Sequence, residues 1–226
     1  MNRLILLTCA ILSFVGLCSA GTVCTGGSLA SYISLGSGGC AIGTNTLFNF
    51  TVLSGTTLAT PIAPGDITIS PFSLGLTAAT TVTASTGNLL EALFTYQIAG
   101  NPYVSSSITL ADSSQTGDGA VSDVQNFCAG GTFGPDGLSG CSGTPGTLIA
   151  LNGVNNQDST ALGGVTLLSV TDDFTLDGGL SGSATGGTIT DRFVATPEPI
   201  SFLLTGLGLG LAFTFQRSIR RSCRRR

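Results

Sequence analysis

The sequence predicts an all-β body, an antiparallel β-sandwich or jelly roll, with one short helix near its N-terminus. Short apolar runs alternate with polar residues at period two, as in Ile67-Thr68-Ile69, which suits a sheet with one face in water. The segments between these runs are rich in the turn residues Gly, Ser, Thr and Asn. Long amphipathic stretches of helical period are scarce, which argues against a helical bundle.

The helix is expected over residues 28–36, because Ser28 is a good N-cap and Gly36 is suited to the position after a helix end. A final hairpin is expected over 165–194, and loops over 130–146 and 176–187. Strands are expected wherever an apolar or alternating run lies between turn residues. These runs are 46–53, 66–70, 80–84, 90–98, 103–110, 121–127, 147–151, 164–171 and 188–194.

The N-terminus has the layout of a secretory signal peptide. Residues 1–3 supply a positive charge, residues 4–17 are apolar, and small residues lead to a cleavage site between Ala20 and Gly21. The sequence therefore predicts a signal peptide over 1–20 and a secreted β-rich domain over 21–195.

Four cysteines lie in this body, at Cys24, Cys40, Cys128 and Cys141. An even number in an exported chain predicts two disulfides, and four cysteines allow three connectivities. Pairing of Cys24 with Cys40 and of Cys128 with Cys141 is preferred, because it closes the shortest loops. A zinc site is disfavoured, since the chain has neither a Cys-x-x-Cys pair nor a histidine.

The body is strongly acidic, although the formal charge of the whole chain is only −4. Seven of the eight arginines lie in the terminal segments, which leaves eleven acidic side chains against Arg192 alone, a formal charge of −10. Such a surface repels phosphate backbones, so a nucleic-acid partner is not expected.

The composition favours a body that is not an enzyme. Without histidine or lysine, the usual general base and Schiff-base nucleophile are missing. The carboxylates are expected to form a solvated acidic surface. A secreted glycoside hydrolase is the less favoured alternative, since it needs two convergent carboxylates and Glu91 is the single glutamate of the body.

A carbohydrate-binding module is the other alternative. It requires aromatic side chains exposed on one sheet face, for which Tyr96, Tyr103 and Phe133 are the candidates.

No cofactor is expected, and the alternative is calcium. Two groups of aspartates lie near glycine turns and supply oxygen ligands of the kind that Ca²⁺ takes. Aspartates in loops more commonly cap turns through their own hydrogen bonds, and neither group fits an EF-hand. The groups are Asp172, Asp173 and Asp177, or Asp112, Asp118 and Asp123.

Three features follow one another at the C-terminus. Pro197-Glu198-Pro199 precedes an apolar stretch over 200–216, which predicts a single transmembrane helix, and a tail over 217–226. The arginines of this tail are expected to stop translocation and remain in the cytoplasm. They are Arg217, Arg220, Arg221, Arg224, Arg225 and Arg226.

In this order and position, residues 196–226 resemble the bacterial PEP-CTERM sorting signal. The resemblance implies recognition by an exosortase, a membrane-embedded cysteine protease-transpeptidase that removes the tail at or near the tripeptide. It also implies export by the secretion machinery, a transient membrane-anchored precursor, and delivery to the cell surface or to an extracellular matrix that contains polysaccharide. An ordinary single-pass tail anchor is the alternative.

Overall fold

The computed structural model describes residues 21–55 and 58–196. This part contains an α-helix (α1, Leu29–Ile33), a 3₁₀ helix (Pro64–Asp66) and fourteen strands, and almost all strand pairs are antiparallel. The strands are β1 Gly27–Ser28, β2 Cys40–Ile42, β3 Asn45–Val52, β4 Thr60–Pro61, β5 Thr68–Phe72, β6 Gly75–Ala79, β7 Thr83–Ser85, β8 Leu89–Ala111, β9 Ser114–Thr116, β10 Ala120–Ala129, β11 Thr144–Leu151, β12 Gln157–Asp177, β13 Ser183–Thr185 and β14 Thr188–Ala195. The all-β prediction is confirmed.

The short helix begins where the sequence predicts. Ser28 is its N-cap, and the Ser28 side chain accepts a hydrogen bond from the Ser31 backbone N–H at 3.3 Å. The chain then turns and reaches Gly36 at φ +56°, a left-handed conformation that glycine adopts without strain.

Two strands are much longer than expected and organise the body. Strand β8 has 23 residues and β12 has 21, whereas the sequence predicts separate strands over 90–98 and 103–110, and a strand over only 164–171. The register between them shifts from Ala161 to Leu167, beside Gly163 and Gly164. Each strand thus contributes its two halves to two different layers.

The layers face each other across one hydrophobic core, as in a sandwich. The first half of β8 pairs with β3 and β12, and the sheet continues through β10 to β11; the second half pairs with β14, and the sheet continues through β6 and β5 to β1. A smaller sheet, β7-β13-β9, is formed separately. The largest fully buried side chains of the core are Tyr96, Tyr103, Phe94, Phe193, Leu29, Leu47, Ile69, Leu76, Ile98, Ile108, Leu110 and Leu148.

The expected final hairpin over 165–194 is wrong. Strand β12 pairs with β10 and β8, while β14 pairs with β6 and β8, so the two strands are not partners. The segment between them adds β13 to the smaller sheet and carries the chain to the other layer. A local turn signal predicts a bend, but the burial of apolar faces decides which strand lies beside which.

Two strand predictions in the first half of the body need correction. The segment 66–70 begins as the 3₁₀ helix, with Pro64 at its first position, and β5 starts only at Thr68. The segment 80–84 spans a break between β6, which ends at Ala79, and β7, which starts at Thr83.

Strand β11 is an edge of its layer, and its outward side offers little for further pairing. Pro145 has no N–H group, the Ile149 N–H donates to the Asp158 carboxylate at 3.1 Å, and the Leu151 N–H donates to the Asn155 carbonyl at 2.8 Å. Unpaired N–H groups on an edge strand are a template for strand addition. These three residues remove most of that template.

Both predicted disulfides are present, Cys24–Cys40 and Cys128–Cys141, with sequence separations of 16 and 13. The first joins the N-terminal segment to β2, and the second joins the end of β10 to the loop before β11. The local connectivity is confirmed.

No helix in the described part of the chain is long and apolar enough to cross a membrane. The predicted signal peptide over 1–20, the tripeptide at 197–199, the apolar stretch over 200–216 and the arginine tail all lie outside the described residues.

Replacing Cys128 and Cys141 together by alanine is expected to lower the free energy of unfolding by about 3 kcal/mol, because the unfolded chain regains the entropy that a loop of this length loses. Urea unfolding without reductant measures the loss. Reduced wild-type protein serves as the reference for removal of both bridges, and non-reducing peptide mapping checks the links. Crossed pairing or free thiols in the exported protein would contradict the assignment.

Candidate functional site

Three aspartates lie completely buried between the two layers and form what we call the carboxyl cluster: Asp123 on β10, Asp172 on β12 and Asp191 on β14. Each has 0 % exposure. Successive side chains of a strand point to opposite faces, and these three occupy inward positions that otherwise hold apolar residues. Asp191, for example, lies between Ile189 and Phe193, which are also buried.

The expectation that the carboxylates form a solvated surface is therefore wrong for these three residues, and also for Glu91. Glu91 lies on β8 with 6 % exposure, beside a small cavity of about 10 Å³ lined by Gly55, Pro61 and Ile62 among others. Charge alone predicts exposure, because an isolated buried carboxylate is costly. The strand register overrides that preference here.

The calcium candidates are not brought together as two groups. Asp172 points into the core, Asp173 lies on the other face of the same strand, and Asp177 is exposed and accepts from the Gly179 N–H at 2.8 Å. Asp118 is exposed and accepts from the Leu180 and Ser181 N–H groups, both at 2.9 Å. Among residues 21–55 and 58–196, no group of three or more Cys, Asp or Glu side chains has a geometry that would hold a metal ion.

Hydrogen bonds join the carboxyl cluster to both layers. The Tyr96 hydroxyl donates to Asp191 Oδ2 at 2.6 Å. Gln125 Nε2 donates to Asp191 Oδ1 at 2.7 Å and to Asp172 Oδ1 at 3.3 Å. Ser106 Oγ donates to Gln125 Oε1 at 3.2 Å. The Gln125 amide is thus oriented with its nitrogen toward two carboxyls and its oxygen toward a hydroxyl.

The remaining oxygens of the cluster have no such partners. Both Asp123 oxygens and Asp172 Oδ2 are buried without a hydrogen-bond partner in the described part of the molecule. Arg192 is the one cationic side chain among the described residues, and it is exposed. No positive charge balances the cluster from within that part, so protonation is the way in which its buried charge is reduced.

Burial raises the pKa of all three aspartates. The pKa values of Asp123 and Asp172 lie well above the ordinary value, because of burial first and then the charge of Asp191. Burial raises the pKa of Asp191 to about 6, and hydrogen bonds from Tyr96, Asp172 and Gln125 oppose this rise. Of the three aspartates, Asp191 is therefore the one most suited to be ionised. Neutral Asp172 is one of the groups that donate a hydrogen bond to it.

The aromatic candidates for sugar stacking are largely inside the protein. Tyr96 and Tyr103 have 0 % exposure, and Phe133 is half-buried. The Tyr96 ring stacks on Phe50 with centroids 5.2 Å apart, so it belongs to the core. Tyr96 and Tyr103 do not provide a carbohydrate platform.

A polar groove of about 570 Å³ lies on the outer face of the second layer. Arg192 and Thr190 of β14 lie there beside Ser107 and Thr109 of β8. The β11–β12 turn and the start of β12 add Asn155, Gln157, Asp158 and Ser159. Hydroxyl, amide and guanidinium groups dominate its lining, and the sequence patterns did not single out this surface.

No protein-family model matches the chain, and no curated protein matches it. Two solved structures show low similarity to it. The enzymatically active domain of tailspike protein 4 of bacteriophage CBA120 is 14% identical over 72% of this chain and 21% of that chain, with a TM-score of 0.26. The carbohydrate-binding module TmCBM61, in complex with β-1,4-galactotriose, is 7% identical over 64% of this chain and 88% of that chain, with a TM-score of 0.27. This chain thus spans about a fifth of the tailspike domain, and neither similarity indicates a function for it.

The carboxyl cluster predicts that the folded protein is less stable at alkaline than at acidic pH. A raised pKa means that the folded state holds protons that the unfolded state has released, so stability falls as the pH rises through the folded-state pKa. For Asp191, whose pKa rises from 3.8 to about 6, this loss is on the order of 3 kcal/mol. Denaturant unfolding between about pH 4 and about pH 8 measures it.

Asp123→Asn tests the origin of this slope, because an amide cannot ionise, and it should make the pH dependence shallower. Asp66→Asn, at an exposed position, is the control and should leave the slope unchanged. Hydrogen bonds from Ser181 lower the pKa of Asp118, and hydrogen bonds from Ser139 lower the pKa of Asp136. The contribution of these two aspartates to the stability therefore changes only below about pH 4. Wild-type stability that rises over the measured range would contradict the assignment.

Tyr96→Phe is expected to lower the free energy of unfolding by roughly 1–3 kcal/mol, since it removes a donor from a buried carboxylate. Tyr32→Phe is the matched control, because the Tyr32 hydroxyl donates at 2.8 Å to a neutral acceptor, the Thr25 carbonyl. It should cost less than Tyr96→Phe. Equal losses in urea unfolding would show that the Tyr96 hydroxyl does not serve the cluster.

Proposed function

We propose that the protein is an exported, non-enzymatic component of the cell surface or extracellular matrix, delivered through a C-terminal sorting signal that an exosortase processes. The observation that carries this proposal is the order of three features in the C-terminal sequence: Pro197-Glu198-Pro199, an apolar stretch and an arginine tail. Strand β14 ends at Ala195, and the Thr196 N–H donates to the Pro102 carbonyl at 2.9 Å. Pro197-Glu198-Pro199 follows Thr196 directly in the sequence.

The two disulfides support export, since such bonds persist in oxidising compartments and are rare in the cytosol. Both lie within the part of the chain that would remain after removal of the signal peptide before Gly21 and of the C-terminal tail. The three cysteines in the terminal segments, Cys9, Cys18 and Cys223, take no part in them.

The tail supplies a physical basis for processing. Proline fixes φ and restricts the residue before it to an extended conformation, so Pro197-Glu198-Pro199 suits the binding cleft of a protease. The apolar stretch over 200–216 holds this segment at the membrane surface, and the arginines after it remain in the cytoplasm. In this proposal the membrane anchor is transient, and the partners are the secretion machinery and the exosortase.

Replacing Pro197, Glu198 and Pro199 by alanine should leave export intact but block removal of the tail. The expected product is a membrane-bound precursor, heavier than the mature form by the mass of the tail. Membrane fractionation and intact-mass measurement in cells that possess an exosortase distinguish the two forms. Pro135→Ala, at an exposed loop proline of the body, is the control and should mature normally.

Deleting residues 217–226 should produce a different defect, because an anchor without its cytoplasmic charges is poorly retained. We expect unprocessed chain to be released from the membrane. Normal maturation of the triple-alanine protein, or wild type that keeps Cys223 in such cells, would identify a plain tail anchor.

Binding of extracellular polysaccharide is a second candidate function, which the polar groove favours. The Arg192 guanidinium offers up to five N–H donors in a planar fork, beside side chains that both donate and accept. Retention of mature protein on insoluble neutral or uronate-rich polysaccharides tests it. Arg192→Gln should reduce retention, and Asp66→Asn should not. Equal retention of the wild type and both variants would show that the groove does not bind the polysaccharide.

A further inference from the structure

We infer that Ser106 and Gln125 form an intramolecular ester bond between the two layers, with release of ammonia. Ser106 lies on the second half of β8 and Gln125 on β10, 19 positions apart in the chain. Both have 0 % exposure, and Ser106 Oγ lies 3.2 Å from Gln125 Oε1. Because folding already holds the serine hydroxyl against the amide, the translational and rotational entropy that two separate molecules lose on meeting in solution is not lost again in the reaction.

The contacts of Gln125 distinguish this pair from an ordinary buried hydrogen bond. An amide is a poor acylating group because its nitrogen must gain a proton before it leaves. Here that nitrogen lies 2.7 Å from an oxygen of Asp191 and 3.3 Å from an oxygen of Asp172. The serine and the carboxyls thus approach opposite sides of the same amide group, one at its oxygen and the others at its leaving nitrogen.

The carboxyl cluster supplies the acid. Since burial raises the pKa of both aspartates that contact the amide, neutral carboxylic acid is present beside it at mildly acidic pH. The site is also closed to bulk water, which would otherwise compete as a nucleophile and hydrolyse the product.

The reaction balances without a further reactant. Ser106 Oγ bonds to Cδ of Gln125, and the hydroxyl proton passes to Oε1, which gives a neutral tetrahedral intermediate. The neutral carboxyl of Asp172 then protonates the nitrogen, the C–N bond breaks, and ammonia leaves. The proton on Oε1 is returned to the carboxyl cluster as the carbonyl reforms. The products are one ester and one ammonia molecule, and the acids are regenerated.

Intact-mass measurement of the purified wild-type protein, after reduction of its disulfides, tests the inference. The expected mass is lower than that of the sequence by one ammonia. Asp112, Asp118 and Asp123 lie between the two partners, so a protease that cleaves before aspartate should yield one branched peptide that joins the Ser106 and Gln125 segments. Hydroxylamine should separate this peptide into its two parts, since it cleaves esters.

Three variants assign the bond. Ser106→Ala removes the nucleophile and Gln125→Glu removes the leaving nitrogen, so both should keep the full mass of their sequences. Ser106→Thr retains a hydroxyl and should still lose ammonia. Full mass in folded wild type would overturn the inference, even if a variant fails to fold. Loss of ammonia that persists in Ser106→Ala would also overturn it, because the loss would then arise elsewhere.

Discussion

The structure depends on one constraint, which is that β8 and β12 each run through both layers. A strand that changes layer must bend, and its two halves must then bury side chains that face each other. This arrangement places Tyr96 of the first half of β8 opposite Asp191, on the strand that pairs with the second half. It also brings Ser106 to Gln125. The polar contacts of the core are therefore a consequence of the bends.

The carboxyl cluster gives this core an unusual balance of forces. Apolar burial between the layers favours folding at any pH. The three acids, with no buried cation beside them in the described body, favour folding only when they hold their protons. The Gln125 amide and the Tyr96 hydroxyl are the groups that make the burial tolerable, since they direct donors at the oxygens of Asp191. Such a network also limits which side chains fit at neighbouring positions, because each donor has one acceptor to reach.

Local sequence signals predicted a large part of the body. Apolar and alternating runs located parts of β3, β5, β8, β10, β11, β12 and β14, Ser28 located the helix start, and loop length selected the disulfide pairs. The long strands were missed because Gly100, Asn101 and Pro102 indicate a turn, whereas β8 continues through them. The carboxyl cluster was missed for a different reason: Asp172 and Asp173 look alike in sequence, and only the register of β12 decides which of them is buried.

The outward side of β11 has a consequence for crowding. Molecules that are concentrated on a surface meet their neighbours repeatedly, and an open edge strand would let one sheet continue into the next and build a fibre. Asp158, Asn155 and Pro145 end the sheet within each molecule. Copies of this protein that meet through β11 are therefore expected to remain separate molecules, because little of this edge is left for another strand to pair with.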